Sequence, residues 1–478
     1  MNQKSNFSIF AFIFLISACG NSNTTNLQND DQSDTSGEPN TPSNEQNGAD
    51  DGPLLAFPGA AGFGANAKGG RQGEVIYVTN LNDSGEGSLR AALTARGPRT
   101  VLFKVSGTIA LDSMITVDNP FLTLAGQSAP GDGIAIRHSG ASGFRNALIQ
   151  IDTHDVIIRY IRLRRGPGAE PECCGDNLMI NDSEDVIVDH MSMSWSTDEL
   201  MSVTSSKRVT LQNNLLSEAL HNSTHAENDG LQPHALGPLL SGDIDELTIY
   251  RNLFAHQTGR NPRMAPGDGG LFQVVNNMVH NTCQAITFDS VGPRANFNAI
   301  GNLIIEGPLT CGNGRASIIL DEDVRVYVED NLTPYRSDGD DEWLATSLLR
   351  EDPPADRNKQ SNNRFDTPAI DILPANQLEN SLIPEVGAVL PKRDVVDTRV
   401  LGMVTAREGG HVDHPRDVGG WPNLSGPNNI VDNDNDGMDD AWEQQYGLDS
   451  SDANDRNLDS DGDGYTNLEE FLNGTLPK

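Results

Sequence analysis

Apolar and polar residues recur through the middle of the chain in one unit: an apolar residue, a second two positions on, and an asparagine three beyond that. The unit reads Val209, Leu211, Asn214, then Leu247, Ile249, Asn252, then Phe272, Val274, Asn277, then Phe297, Ala299, Asn302, and last Val326, Val328, Asn331. Alternation at period two marks a half-buried strand, and the asparagines lie 38, 25, 25 and 29 residues apart. Strand-turn units returning at about that length are the rungs of a solenoid, each burying its apolar face on the next. Asparagines at one turn position can stack as a ladder and satisfy each other's amides where the backbone bends. Strands at Glu74 to Thr79, Val101 to Ile109 and Phe121 to Ala125 extend the pattern toward the N-terminus. The expected fold class is all-β, a right-handed parallel β-helix. A sandwich or propeller is disfavoured, because no hairpin turns of the Asn-Gly kind join neighbouring strands.

Composition agrees. The chain has 478 residues, 47 glycines and 5% aromatic residues, which suits short strands and tight turns. Its 33 basic against 68 acidic residues give a net charge of -35. Nucleic acid is therefore an unsuitable partner, since phosphate binding needs a basic surface. A Gly-rich stretch from Phe57 to Gly73 precedes a strand instead of joining a strand to a helix, so it is not a phosphate cradle.

The chain divides into four stretches. Residues 1–19 read as a signal peptide, with Lys4 before an apolar run from Phe7 to Ile16 that is too short to span a bilayer. Its end, Ile16-Ser-Ala-Cys19, resembles the bacterial lipoprotein signal, which implies acylation of Cys19 and export to the outer membrane or cell surface, or otherwise secretion or a periplasmic location. The membrane would be a partner through that lipid anchor only, and a monomer is expected. Residues 20–52 are a disordered acidic tether with seven acidic residues and no Lys or Arg. Residues 53–430 are the β-helix.

Residues 431–478 are expected to be a separate calcium-binding module. Asp432, Asp434, Asp436 with Glu443, and Asp459, Asp461, Asp463 with Glu470, both match D-x-D-x-D-G-x5-E, with a Glu at the twelfth position. The segment resembles EF-hand-like or thrombospondin type 3 repeats, in which Ca2+ replaces a core too small to stand alone. Fourteen acidic against two basic residues sit here, so the β-helix itself repels a polyanion less than the total charge suggests.

Candidate chemistry centres on Thr258-Gly-Arg-Asn-Pro-Arg-Met264. Pro262 disfavours helix at Asn261, so Arg260 and Arg263 are displayed on extended backbone, a way to aim guanidinium groups at an anion. Arg162 and Arg164 fall on one strand face at period two. Asp176 and Asp198 lie at similar points of consecutive coils, and paired carboxylates are hard ligands suited to calcium. His225 and His234 are candidates for holding substrate.

Phe57-Pro-Gly-Ala-Ala-Gly-Phe-Gly, Thr79-Asn-Leu-Asn-Asp-Ser-Gly-Glu-Gly-Ser-Leu-Arg90, Leu124-Ala-Gly-Gln-Ser-Ala-Pro-Gly-Asp-Gly133, Val188-Asp-His-Met-Ser-Met-Ser-Trp-Ser-Thr-Asp-Glu199 and Gly259-Arg-Asn-Pro-Arg263 together resemble the pectate lyases of polysaccharide lyase family 1. The resemblance implies a calcium-assisted β-elimination on polygalacturonate, with Arg260 as the base and Asp176 and Asp198 as calcium ligands; Arg263, His225, His234, Arg162 and Arg164 are read beside it as candidate substrate contacts. Two departures stand out. Ser202 occupies a position where better-known members carry another Asp, and no Lys follows the histidines between Leu216 and Gly237. The alternatives are a lyase for another uronan and a non-catalytic surface lipoprotein that binds cell-wall polysaccharide. A hydrolase is weaker, because the central candidate is an arginine and not a pair of carboxylic acids. Cys283 and Cys311, in successive rungs, are a plausible disulfide, whereas Cys173 and Cys174 are too close along the chain to pair readily.

Overall fold

The computed structural model describes residues 53–227, 230–321, 323–427 and 430–477. The signal segment, Cys19 and the tether of residues 20–52 lie outside the described residues. Three parallel sheets of 10, 9 and 8 strands run the length of the molecule, and within each the strands follow chain order. Each strand is therefore paired with the coil before it and the coil after it, which is the parallel β-solenoid expected from the repeat. Among the described residues no helix is long and apolar enough to cross a membrane.

The repeat falls into register as its spacing required. Val209 pairs with Leu247, Leu247 with Phe272, Phe272 with Phe297, and Phe297 with Val326 along the 10-stranded sheet. All five are fully buried, and Phe272 and Phe297 stack with ring centroids 5.0 Å apart. The asparagines form the ladder. The Nδ2 groups of Asn214, Asn252, Asn277 and Asn302 each donate to the Oδ1 of the next rung's asparagine at 2.9, 3.0, 3.1 and 2.8 Å. The residue before each ladder position, Asn213, Arg251, Asn276, Gly301 and Asp330, has a positive φ between 51° and 64°. That left-handed kink swings the chain from the first sheet to the third, and the buried amides satisfy the backbone groups the bend leaves over.

The Gly-rich stretch is a strap across the outside of the first sheet. Backbone N–H groups of Phe63, Gly64 and Gly70 donate to the hydroxyls of Thr248, Thr210 and Thr123 at 3.1, 2.9 and 2.9 Å. A Cβ at Gly64 would lie 2.4 Å from Val186 O, so contact this close requires glycine. Helices Ala375–Leu382 and Val395–Ala406 cover the third sheet, where Leu378, Leu382, Val400 and Val404 pack on Leu215, Leu253 and Met278.

The acidic tail does not stand apart. Met438 and Leu468 share an apolar cluster with Leu102 and Ala125 of the first sheet, flanked by Val75, Tyr77, Trp442 and Phe471. Arg71 pairs with Glu469 at 2.7 Å, and Arg159 Nη1 donates to Asn473 Oδ1 at 2.6 Å. A tail with this few apolar residues gains its core by borrowing the flank of the β-helix. Cys283 and Cys311 form a disulfide as expected, while the Sγ atoms of Cys173 and Cys174 are in hydrogen-bond contact at 2.7 Å and not in a disulfide.

Candidate active site

Four consecutive strands of the 9-stranded sheet, Leu178–Asn181, Met201–Thr204, Leu239–Gly242 and Arg263–Pro266, are entered from the same side. The turns feeding them carry Asp176, then Asp198 and Glu199, then His234, then Arg260. Parallel bridges from Glu199 to Leu236 and from Leu236 to Gly259 hold these turns in line. Rung stacking therefore brings together residues 84 positions apart in the chain, from Asp176 to Arg260.

Asp176 is the buried member, 2% exposed, with Oδ1 accepting from Glu199 N at 3.1 Å and Oδ2 from the Ser202 hydroxyl at 2.6 Å. Ser202 thus donates to Asp176 from the position where the resembling lyases have an acid. Burial, and next the charge of Asp198, push the Asp176 carboxyl well above its usual range. One oxygen from each of Asp176, Asp198 and Glu199 falls within 4.8 Å of the others. Three carboxylate oxygens so close repel unless a cation lies among them, and this hard donor set fits calcium.

Arg260 ion-pairs with Glu199 from the next turn but one. Its backbone is left-handed, at φ 59°, and it passes over Gly237, where a Cβ would sit 2.1 Å from Arg260 O. The expected extended backbone at Arg260 is therefore a kink, followed by a cis peptide between Asn261 and Pro262. Burial is the main cause that lowers the Arg260 guanidinium to about 10, with Arg263 adding to it and Asp198 and Asp176 opposing. Arg263, more exposed, donates from Nη2 to Asp289 Oδ2 at 2.6 Å. His234 Nε2 lies 2.8 Å from Asp198 Oδ1, and the rings of His225 and His234 stack with centroids 3.6 Å apart.

No family model matches the chain. A probable pectate lyase C of Aspergillus flavus is 35% identical over 429 residues, covering 89% of this chain and 94% of that protein. This chain belongs to the pectate lyase family. A probable pectate lyase C of Aspergillus oryzae is 34% identical over 435 residues, again 89% and 94% of the two chains. Among solved structures, a Bacillus subtilis pectate lyase mutant aligns with a TM-score of 0.48 and 15% identity, covering 71% of this chain and 99% of that one.

Not every residue expected to serve a pectate lyase site lies in it. Arg162 and Arg164 are fully buried on the third sheet, beneath the start of helix Val395–Ala406. Arg164 Nη2 contacts Asp397 at 2.5 Å and Asp394 at 3.2 Å, and Arg162 lies 3.6 Å from Asp394. Burial alone would raise Asp394, but Arg164 and then Arg162 outweigh it and hold it below its usual range. These arginines are corrected from substrate contacts to a buried network that seats a helix; no polymer reaches them. His225, 3% exposed, is likewise too buried to face a saccharide. Sequence reasoning passed over three residues. Glu199 is one, although its place beside Asp198 was a usable signal. Arg165 and Glu172 form a fully buried ion pair at 2.6 Å that braces the loop leading to Asp176.

In the tail, Asp432, Asp434 and Asp436 converge, as do Asp459, Asp461 and Asp463. Asp436 and Glu443 also meet Asp455, which belongs to neither motif. Among the described residues, both carboxylate oxygens of Glu443 and of Glu470, and single oxygens of Asp434, Asp436 and Asp455, are buried without a hydrogen-bond partner. Buried anionic oxygens left so are costly unless an ion coordinates them. The donor set fits Ca2+ in both loops. The first loop also touches the β-helix, where the Tyr77 hydroxyl donates to Asp432 and Lys104 Nζ lies 2.6 Å from Asn435 Oδ1.

Proposed function

We propose that this pectate lyase cleaves polygalacturonate by β-elimination, with Arg260 taking the C5 proton next to the scissile bond. The observation that carries the reading is the placement of Arg260 at the end of a row of three carboxylates, paired with Glu199, where burial also lowers its guanidinium. Arginine is an awkward base, since its free form titrates above about 12. Calcium bound at Asp176, Asp198 and Glu199 would supply the positive charge that neutralises the uronate carboxylate and acidifies the C5 proton. Arg263, steadied by Asp289, grips a neighbouring uronate. Asp176, anchored by Ser202 and Glu199 N, fixes the geometry of the ion site.

The tail binds two Ca2+ ions structurally, one through Asp432, Asp434, Asp436 and Glu443, the other through Asp459, Asp461, Asp463 and Glu470. The chain is exported, in keeping with the Cys283–Cys311 disulfide, and anchored through lipid on Cys19; metabolic labelling with a radioactive fatty acid, lost in Cys19→Ser, tests that. The lyase reading is tested by the release of unsaturated, ultraviolet-absorbing oligomers from polygalacturonate. Binding of the polymer without such products favours the adhesin, and products from a different polyuronate alone would move the substrate.

A further inference from the structure

Asp198 has oxygen donors on one side, Asp176 and Glu199, and nitrogen donors on the other. His234 Nε2 at 2.8 Å and His225 Nδ1 at 3.6 Å both address the same atom, Asp198 Oδ1. One atom from each of the three side chains falls within 4.8 Å of the others. The excursion that carries the histidines is pinned by backbone contacts: Gln232 N donates to His225 O at 3.0 Å, His234 N to His221 O at 2.8 Å, and the Thr258 hydroxyl to His234 O at 3.1 Å. His225 also bridges to Glu172, the residue paired with Arg165. The rings are therefore held in place before anything binds.

Two imidazoles stacked at 3.6 Å are aimed at one carboxylate oxygen. A divalent cation engages all three groups at once. We propose that Asp198, His225 and His234 form a site for a borderline transition-metal ion of the Zn2+ or Co2+ class, which shares Asp198 with the all-oxygen calcium set. Imidazole nitrogen selects such ions, whereas calcium takes six to eight oxygens. Three protein ligands leave coordination positions for water. The site does not depend on Arg260 or on elimination, so it stands or falls separately from the lyase reading.

The test is titration of the chelator-stripped full chain with Co2+ alone, read by visible d–d absorption. Nitrogen-ligated, low-coordinate cobalt absorbs far more strongly than cobalt in the all-oxygen tail loops. The expected result is one intense equivalent, displaced by Zn2+ and kept in the tail variant Asp459→Ala/Asp461→Ala. His225→Ala and His234→Gln should each weaken it by at least about tenfold. Circular dichroism guards against misfolding, and His234→Gln, at the more exposed ring, carries the test if His225→Ala does not fold. A parent protein without an intense band, or a band that survives in His234→Gln, overturns the proposal.

Discussion

The active site and the tail both gather carboxylates, yet they balance them differently. Around Asp176, Asp198 and Glu199 the protein supplies its own groups, the Arg260 guanidinium on Glu199 and imidazole nitrogens beside Asp198. In the tail, Asp436, Glu443 and Asp455 face one another, with both Glu443 oxygens unpartnered among the described residues. The first set has a guanidinium beside Glu199 in place, although burial and Asp198 still raise Asp176; the second is relieved only by protonating, opening or binding an ion. On the proposed reading, this difference separates a cation used in chemistry from one used in folding. The tail also borrows apolar surface from Leu102 and Ala125, so the two regions are coupled through packing as well as charge.

The comparison breaks most visibly at Arg260. Arg260→Lys keeps a cation beside Glu199 but loses the guanidinium geometry. As a base variant it should lower kcat at least about a hundredfold with KM nearly unchanged. Arg263→Lys should chiefly raise KM, because on the proposed reading Arg263 binds and does not react. Steady-state kinetics on polygalacturonate at fixed calcium decide this, and an Arg260→Lys enzyme with near-parental kcat would remove Arg260 from the chemistry. Next in size is Asp198→Ala, which takes one ligand from the calcium set. It should cut activity at least about tenfold and raise the calcium needed, while the tail's thermal transition stays put. A shift of the tail transition in that variant would contradict the separation of roles.

The converse variant perturbs the tail. Asp436→Ala with Glu443→Ala should leave activity at saturating calcium within about twofold, yet lower the melting temperature and remove its calcium dependence. Because the tail seats on Tyr77, Lys104 and Arg71, its release exposes the flank of the first coils. The β-helix should therefore lose some stability as well, contrary to the expectation of a wholly separate module. Calorimetry with and without a chelator measures both transitions, and a full loss of activity would mean that the tail ions serve the reaction.

How far the sequence could be read follows from which interactions leave a periodic trace. The asparagine ladder and its flanking apolar rows return every 25 to 38 residues, so the solenoid was legible; the two Asp-rich loops share one internal spacing, so they were legible as acidic loops. Asp176, Asp198 and Arg260, separate in the chain, come together because rung stacking makes their turns adjacent, which the coil spacing of the two aspartates already suggested. Arg162 and Arg164 were misassigned because period two gives the strand face, whereas what covers that face, Asp394 and Asp397, comes from a helix some 230 residues later. Docking of the tail and the role of Asp455 were hidden for the same reason: neither leaves a spacing signal. The left-handed backbone at Arg260 depends on Gly237 in the preceding rung, which no local rule for Asn-Pro reveals.

The smallest and most diagnostic effect is the pH dependence of the metal-free tail. Burial first, and then neighbouring acids, raise Asp436 to about 7, Glu443 to about 8 and Glu470 to about 7. In the unfolded chain these groups titrate near 4, so between those limits the folded tail binds more protons than the unfolded one. Stability then falls as pH rises through that window and levels off above about pH 8. In chelator, the tail's melting temperature should drop steadily from about pH 5 to about pH 8. With calcium present the trend should reverse, because protons compete with the ion for the same oxygens. Trp442, packed beside Phe471 at 5.2 Å between ring centroids, reports the transition by fluorescence against a Trp442→Phe control. In the active site burial and Asp198 also raise Asp176, with the Ser202 hydroxyl, Arg165 and Arg260 opposing, but the site is built on paired rungs, so the β-helix should keep its fold in chelator over the same range. A metal-free tail whose melting temperature is flat across this window would mean that its carboxylates are relieved by something other than protons or calcium, and the contrast between the two regions would fail.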